Sequence, residues 1–128
     1  MDKKIISTGA IFGMLAIILG AFGAHALKKV LSIEELTTFE TGVKYQMYHA
    51  LFLLFIGITN TISQKAKKTI YVLTLFGILF FSGSIYLLAT NNLTSFNFKI
   101  IGFVTPLGGL LLILAWGTLF LNYFNEKS

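Results

Sequence analysis

Four mostly apolar stretches, at about 5–25, 43–62, 70–89 and 98–121, constrain this chain more than any other feature. A helix needs about 20 such residues to cross the hydrocarbon core of a bilayer. Every lysine and acid lies outside these stretches or close to an end of one. An open strand edge in lipid would leave backbone groups unsatisfied. Nor does the chain show the two-residue alternation of a membrane barrel. Charged residues make up only 12% of the chain, about half the usual share of a soluble domain. The expected fold is therefore an all-α integral membrane four-helix bundle, with residues 1–128 as one domain. The net charge of +5 comes from ten lysines. They fall between the apolar runs, which fits a membrane surface and not nucleic acid. The chain has no cysteine, which excludes disulfides and thiolate metal sites.

Four spans place both termini and the 63–69 turn on one side. That side holds Lys3, Lys4, Lys65, Lys67, Lys68 and Lys127; the other holds Lys28, Lys29, Lys44 and Lys99. The excess predicts cytoplasmic termini. Between the first two runs, Ser32 and Glu35 have the spacing of a capping box. Leu36, Phe39 and Val43 follow at helical spacing, and Glu40 precedes Lys44 by four residues. This predicts a short interfacial helix over 33–42, either a separate lid or an extension of helix two.

All twelve glycines fall in or beside the apolar runs. Gly9, Gly13, Ala16, Gly20 and Ala24 share one face of helix one, a spacing that lets helix backbones approach closely. We expect this face, like Gly108 and Gly109 in helix four, to pack inside one bundle; the alternative is a seam between two copies. Pro106 lacks an N–H. Either a helix begins there, with Thr105 as its cap and 99–104 as a separate entry, or a longer helix kinks.

Uncharged polar residues gather toward the non-cytoplasmic half. His25 ends helix one, and Tyr45, Gln46, Tyr48 and His49 open helix two. Ser82, Ser84 and Tyr86 lie on helix three and Thr105 on helix four. Trp116 and Tyr123 read as members of an interfacial aromatic belt. A polar group in lipid is costly unless paired, so the gathering predicts an inward-facing cluster. One reading is a network that fixes helix register. Another is a site for an amphipathic ligand or a contact for a larger membrane protein. A third, ligation of haem or metal by His25 and His49, lacks any accompanying carboxylate or thiol, so no metal or cofactor is expected. Nucleophile elbow, phosphate loop and dinucleotide fingerprint are all missing, which points away from an enzyme.

The same residues carry a resemblance. Gly20-Ala-Phe-Gly-Ala-His25-Ala-Leu27, Phe39-Glu-Thr-Gly-Val-Lys-Tyr-Gln-Met-Tyr-His49-Ala-Leu51, Phe81-Ser-Gly-Ser-Ile-Tyr86-Leu87, and Thr105-Pro-Leu-Gly-Gly109 with Ala115-Trp116 stand in order. Together they resemble the small bacterial membrane proteins grouped as domain of unknown function 423, related to eukaryotic transmembrane protein 256. Ala115 stands where glycine is expected. The resemblance implies a four-helix fold in the bacterial plasma membrane and no particular activity. Expected partners are the lipid bilayer and either further copies or a larger membrane complex, with an accessory or scaffold role. A lipid or small-amphipath binding module is the alternative.

Overall fold

A computed structural model describes residues 1–94 and 97–125, with Phe98 and Lys99 described by backbone alone. There is no strand among these residues, and four long helices carry the fold. Helix α1 spans Asp2–Leu27 and contains a π-helical stretch, Ile18–Gly23. Helix α2 spans Ile33–Ile58, α3 Gln64–Ala89 and α4 Val104–Phe124. Two short 3-10 turns, Asn91–Leu93 and Phe98–Ile101, link α3 to α4. Helices α1, α3 and α4 are long and apolar enough to cross a membrane. Helix α2 is as long as α3, but Lys44, Tyr45, Gln46, Tyr48 and His49 crowd its middle and lower its hydropathy.

The capping box is present: Glu35 N–H donates to Ser32 Oγ at 3.1 Å, and Ser32 N–H to Glu35 Oε1 at 2.8 Å. The Ser32 backbone N–H is the main reason the Glu35 carboxyl, at the exposed start of α2, is held below its ordinary range. Its other oxygen accepts from Asn92 Nδ2 at 2.7 Å, pinning this cap to the α3–α4 link. The segment expected as a short interfacial helix is not a separate element. It is the first part of α2, which runs unbroken through Gly42 because 33–58 contains no proline and buries Phe39 and Gly42.

Helix α4 begins at Val104, so Pro106 sits in its first turn, where the missing N–H has no intrahelical partner to lose. The helix therefore has no cause to kink there. Thr105 does not cap it; Phe103 stands at the N-cap with no side-chain bond.

Helices α2 and α3 form the centre. Helix α1 packs on α2 and α4 packs on α3, and no comparable packing joins α1 to α4. Residues such as Ile5, Leu53, Ile56, Ile70, Leu112 and Ala115 fill the core between them. Glycines sit where helices come closest. The small-residue face of α1 meets α2 within the chain: a Cβ on Gly9 would lie 2.8 Å from Ala50 O, and one on Gly20 would lie 3.1 Å from Val43. Gly13 faces the Ala50 methyl. Gly77 faces Leu112 across the α3–α4 contact, and Gly108 lies against the Phe80–Phe81 backbone.

At the end holding the N-terminus, Lys67 is buried at 1% exposure, whereas the sequence placed it among surface lysines. Its ammonium donates to Asp2 Oδ1 at 3.1 Å and to Gly57 O at 3.5 Å. That carbonyl lies in the last turn of α2, where the helix dipole favours a cation. Lys127, counted for orientation above, lies outside the described residues, as do Ser95 and Phe96.

Any side chain at Gly108 collides with backbone that cannot move aside. Gly108→Ala is therefore expected to lower stability by about 1–3 kcal/mol. Gly117 has nothing within 4 Å, so Gly117→Ala is expected to leave stability unchanged or slightly raised. Thermal unfolding of the two variants in one detergent compares them directly.

Candidate functional site

Helix α2 places Gln46 and His49 nearly one turn apart, at 4% and 5% exposure. His49 Nδ1 lies 2.7 Å from Tyr45 O, and Trp116 Nε1 lies 3.0 Å from His49 Nε2. An indole N–H only donates, so Nε2 is the acceptor and Nδ1 carries the proton given to Tyr45 O. This assigns a neutral imidazole with both nitrogens engaged. Gln46 Nε2 donates to Phe12 O at 2.9 Å, and Gln46 Oε1 accepts from the Tyr86 hydroxyl at 2.6 Å. One amide thus bonds α1 and α3 to α2.

Two more polar groups close contacts between helices. Ser82 Oγ donates to Gly42 O at 2.7 Å. Ser84 Oγ pairs with Thr105 Oγ1 at 2.5 Å. Nearer the other end, Thr8 Oγ1 meets the Tyr71 hydroxyl at 2.9 Å, and Thr61 Oγ1 meets the Tyr123 hydroxyl at 2.6 Å. The Thr74 hydroxyl is buried with no partner among the described residues.

The structure divides the predicted polar residues. Gln46, His49, Ser82, Tyr86 and Thr105 make bonds between helices or line the contacts between them. Tyr45 and Tyr48 instead turn outward, at 41% and 54% exposure, with their rings edge to face. Neither hydroxyl has a hydrogen-bond partner among the described residues. His25 is exposed on α1 and joins none of these bonds. Haem or metal ligation by the histidine pair would have to displace a hydrogen bond at His49 and recruit a side chain facing outward. Among the described residues, no group of three or more His, Cys, Asp or Glu could hold a metal ion.

Sequence reasoning missed Trp116 as a partner. It lies 12 residues into α4, about 18 Å from the helix start and about 12 Å from its end. Its indole packs on Phe52 at 4.2 Å between ring centroids as well as bonding His49. The usable signal was chemical: Trp116 carries one of the few polar groups deep in an otherwise apolar helix.

Long apolar helices held together by neutral polar pairs define a small α-helical membrane protein. The chain belongs to the family described as Protein of unknown function (DUF423), which matches residues 19–109. That span includes Gln46, His49 and Tyr86 but stops short of Trp116. The UPF0382 membrane protein SSP2132 of Staphylococcus saprophyticus is 43% identical over 123 residues, covering 96% of this chain and 98% of that protein. The UPF0382 membrane protein YwdK of Bacillus subtilis is 40% identical over 116 residues, 89% of this chain and 90% of its own. The UPF0382 inner membrane protein YgdD of Escherichia coli is 34% identical over 129 residues, 98% of this chain and 93% of its own. No solved structure matches the chain.

Removing one partner of a buried bond strands the other. Gln46→Leu strands the Tyr86 hydroxyl and is expected to cost about 1–3 kcal/mol. Tyr48→Phe, which removes an unpartnered outward hydroxyl, is expected to leave the unfolding temperature unchanged. Thermal unfolding in lipid nanodiscs reads both.

Proposed function

We propose that this protein is a non-enzymatic accessory or scaffold component of the bacterial plasma membrane. The observation that carries this reading is the engagement of its deep polar side chains. Gln46, His49, Ser82 and Tyr86 are bonded within the chain, so they serve helix register and none is left as a free acid, base or nucleophile. Meanwhile α1 and α4 flank the central pair and turn large apolar side chains outward, among them Ile17 and Phe22 on α1, and Ile113 and Phe120 on α4. Such flanks suit lipid, a second copy or a larger membrane complex.

The same reading takes all four helices across the bilayer. Short links, 28–32 and 59–63, tie α2 to α1 and α3. If α1 and α3 both span, α2 must return between them. At 26 residues it is about 39 Å long, against about 30 Å of hydrocarbon. Its start, with exposed Glu34 and Glu40, therefore reaches the interface, as the 33–42 segment was expected to do. Lys44 can extend its ammonium toward the headgroups. Both termini face the cytoplasm, in keeping with the lysine bias.

Two measurements test this. Native mass spectrometry from nanodiscs is expected to show an oligomer or a co-purifying membrane protein; bare monomers contradict the scaffold role. Because the chain has no cysteine, single replacements report topology cleanly. Lys28→Cys is expected to react with an impermeant thiol reagent on intact cells and Lys65→Cys to be protected; the reverse pattern contradicts the orientation.

A further inference from the structure

We propose that the groove between α2 and α4 binds a neutral, flat-ringed amphipath with a long apolar tail, the chemistry of a membrane quinone. The site shares His49 and Trp116 with the bonded polar pairs, but it leaves their bond intact and does not depend on oligomeric state.

A cavity of ≈ 350 Å³ opens between the two helices, lined by Tyr45, His49, Phe81, Gly109, Ile113 and Trp116, with Leu112 behind. Its size is in the range of small-molecule sites, about 300–1,000 Å³. Trp116 also lines a second hollow of ≈ 460 Å³ whose other walls include Phe55, Leu119 and Phe120. Together they run along α4 from Gly109 to Phe124, about 22 Å at the helical rise. The first holds a ring and the second a tail.

Three features select the occupant. No charged side chain lines either hollow, so a neutral molecule fits and an ion does not. The walls of the first are aromatic: the Tyr45 and Phe81 rings lie 5.0 Å apart, and the bond to His49 holds the Trp116 indole in place. Such surfaces favour a flat ring over a flexible chain. Finally, Tyr45 lines the cavity and its hydroxyl has no partner among the described residues, which leaves it free to donate a hydrogen bond to an occupant. A ring carbonyl oxygen would accept its proton.

The chain has one tryptophan, and it stands in the cavity, so its fluorescence is the readout. The full chain in phosphatidylglycerol nanodiscs is titrated with a naphthoquinone bearing a short isoprenoid tail. Quenching is expected to saturate. Tyr45→Phe is expected to weaken binding about tenfold at an unchanged unfolding temperature, since that hydroxyl supports nothing in the fold. A second variant, Gly109→Ala, keeps ordinary contacts with the Phe81 ring but narrows the cavity, and is also expected to weaken binding. Quenching that rises without saturation, equally in the parent and both variants, overturns the proposal. So does quenching by a bromine-labelled phospholipid that the quinone cannot relieve, because an acyl chain then holds the groove. Neither result alters the expected native mass spectrum, so the site and the scaffold role fail separately.

Discussion

Inside hydrocarbon a polar side chain has only the protein to bond to, and in this chain that constraint is resolved through α2. Gln46 reaches α1 at Phe12 O and α3 at Tyr86. One turn later His49 reaches α4 at Trp116, and Ser82 of α3 comes back to Gly42 O. Every other long helix is thus bonded directly to α2. This explains why the least apolar of the four is also the central one. A polar residue facing lipid is a cost, whereas the same residue between two helices specifies how they sit.

Much of this was readable in the chain. The apolar runs located the helices, the Ser32–Glu35 spacing located the start of α2, and the glycine face of α1 named the surface that meets α2. What failed did so for identifiable reasons. Helical spacing groups Tyr45, Tyr48 and His49 on one face, but it equally groups Gln46 with His49. Which set turns inward depends on where α1 and α3 lie, and the sequence does not state that. Tyr45 and Tyr48 lost that competition. Trp116 reads by its type as a belt residue, whereas its bond to His49 depends on how α4 sits beside α2. Lys67 looked like one more loop lysine. Its burial depends on Asp2, a partner 65 positions away in the chain.

The two ends of the molecule are secured differently from its middle. At one, Lys67 joins the first turn of α1 to the last turn of α2, and Thr61 joins the α2–α3 link to Tyr123. At the other, Glu35 ties the cap of α2 to Asn92. Tight glycine contacts close the α1–α2 and α3–α4 seams along their length. The α2–α4 side has no such seam. There Trp116 meets Phe52 and His49, and beside these contacts lies the groove lined by Tyr45, whose hydroxyl has no partner among the described residues. The His49–Trp116 bond thus serves both the fold and the wall of the groove.

The packing of the four helices requires that the deep polar groups around α2 be neutral and hydrogen-bonded. Nitrogen-15 NMR of the histidine rings in lipid bilayers tests it most directly. His49 is expected to be an uncharged imidazole with its proton on Nδ1 and a bare Nε2 coupled across a hydrogen bond to the Trp116 indole. A His49 ring that is charged, or protonated on Nε2, would contradict it.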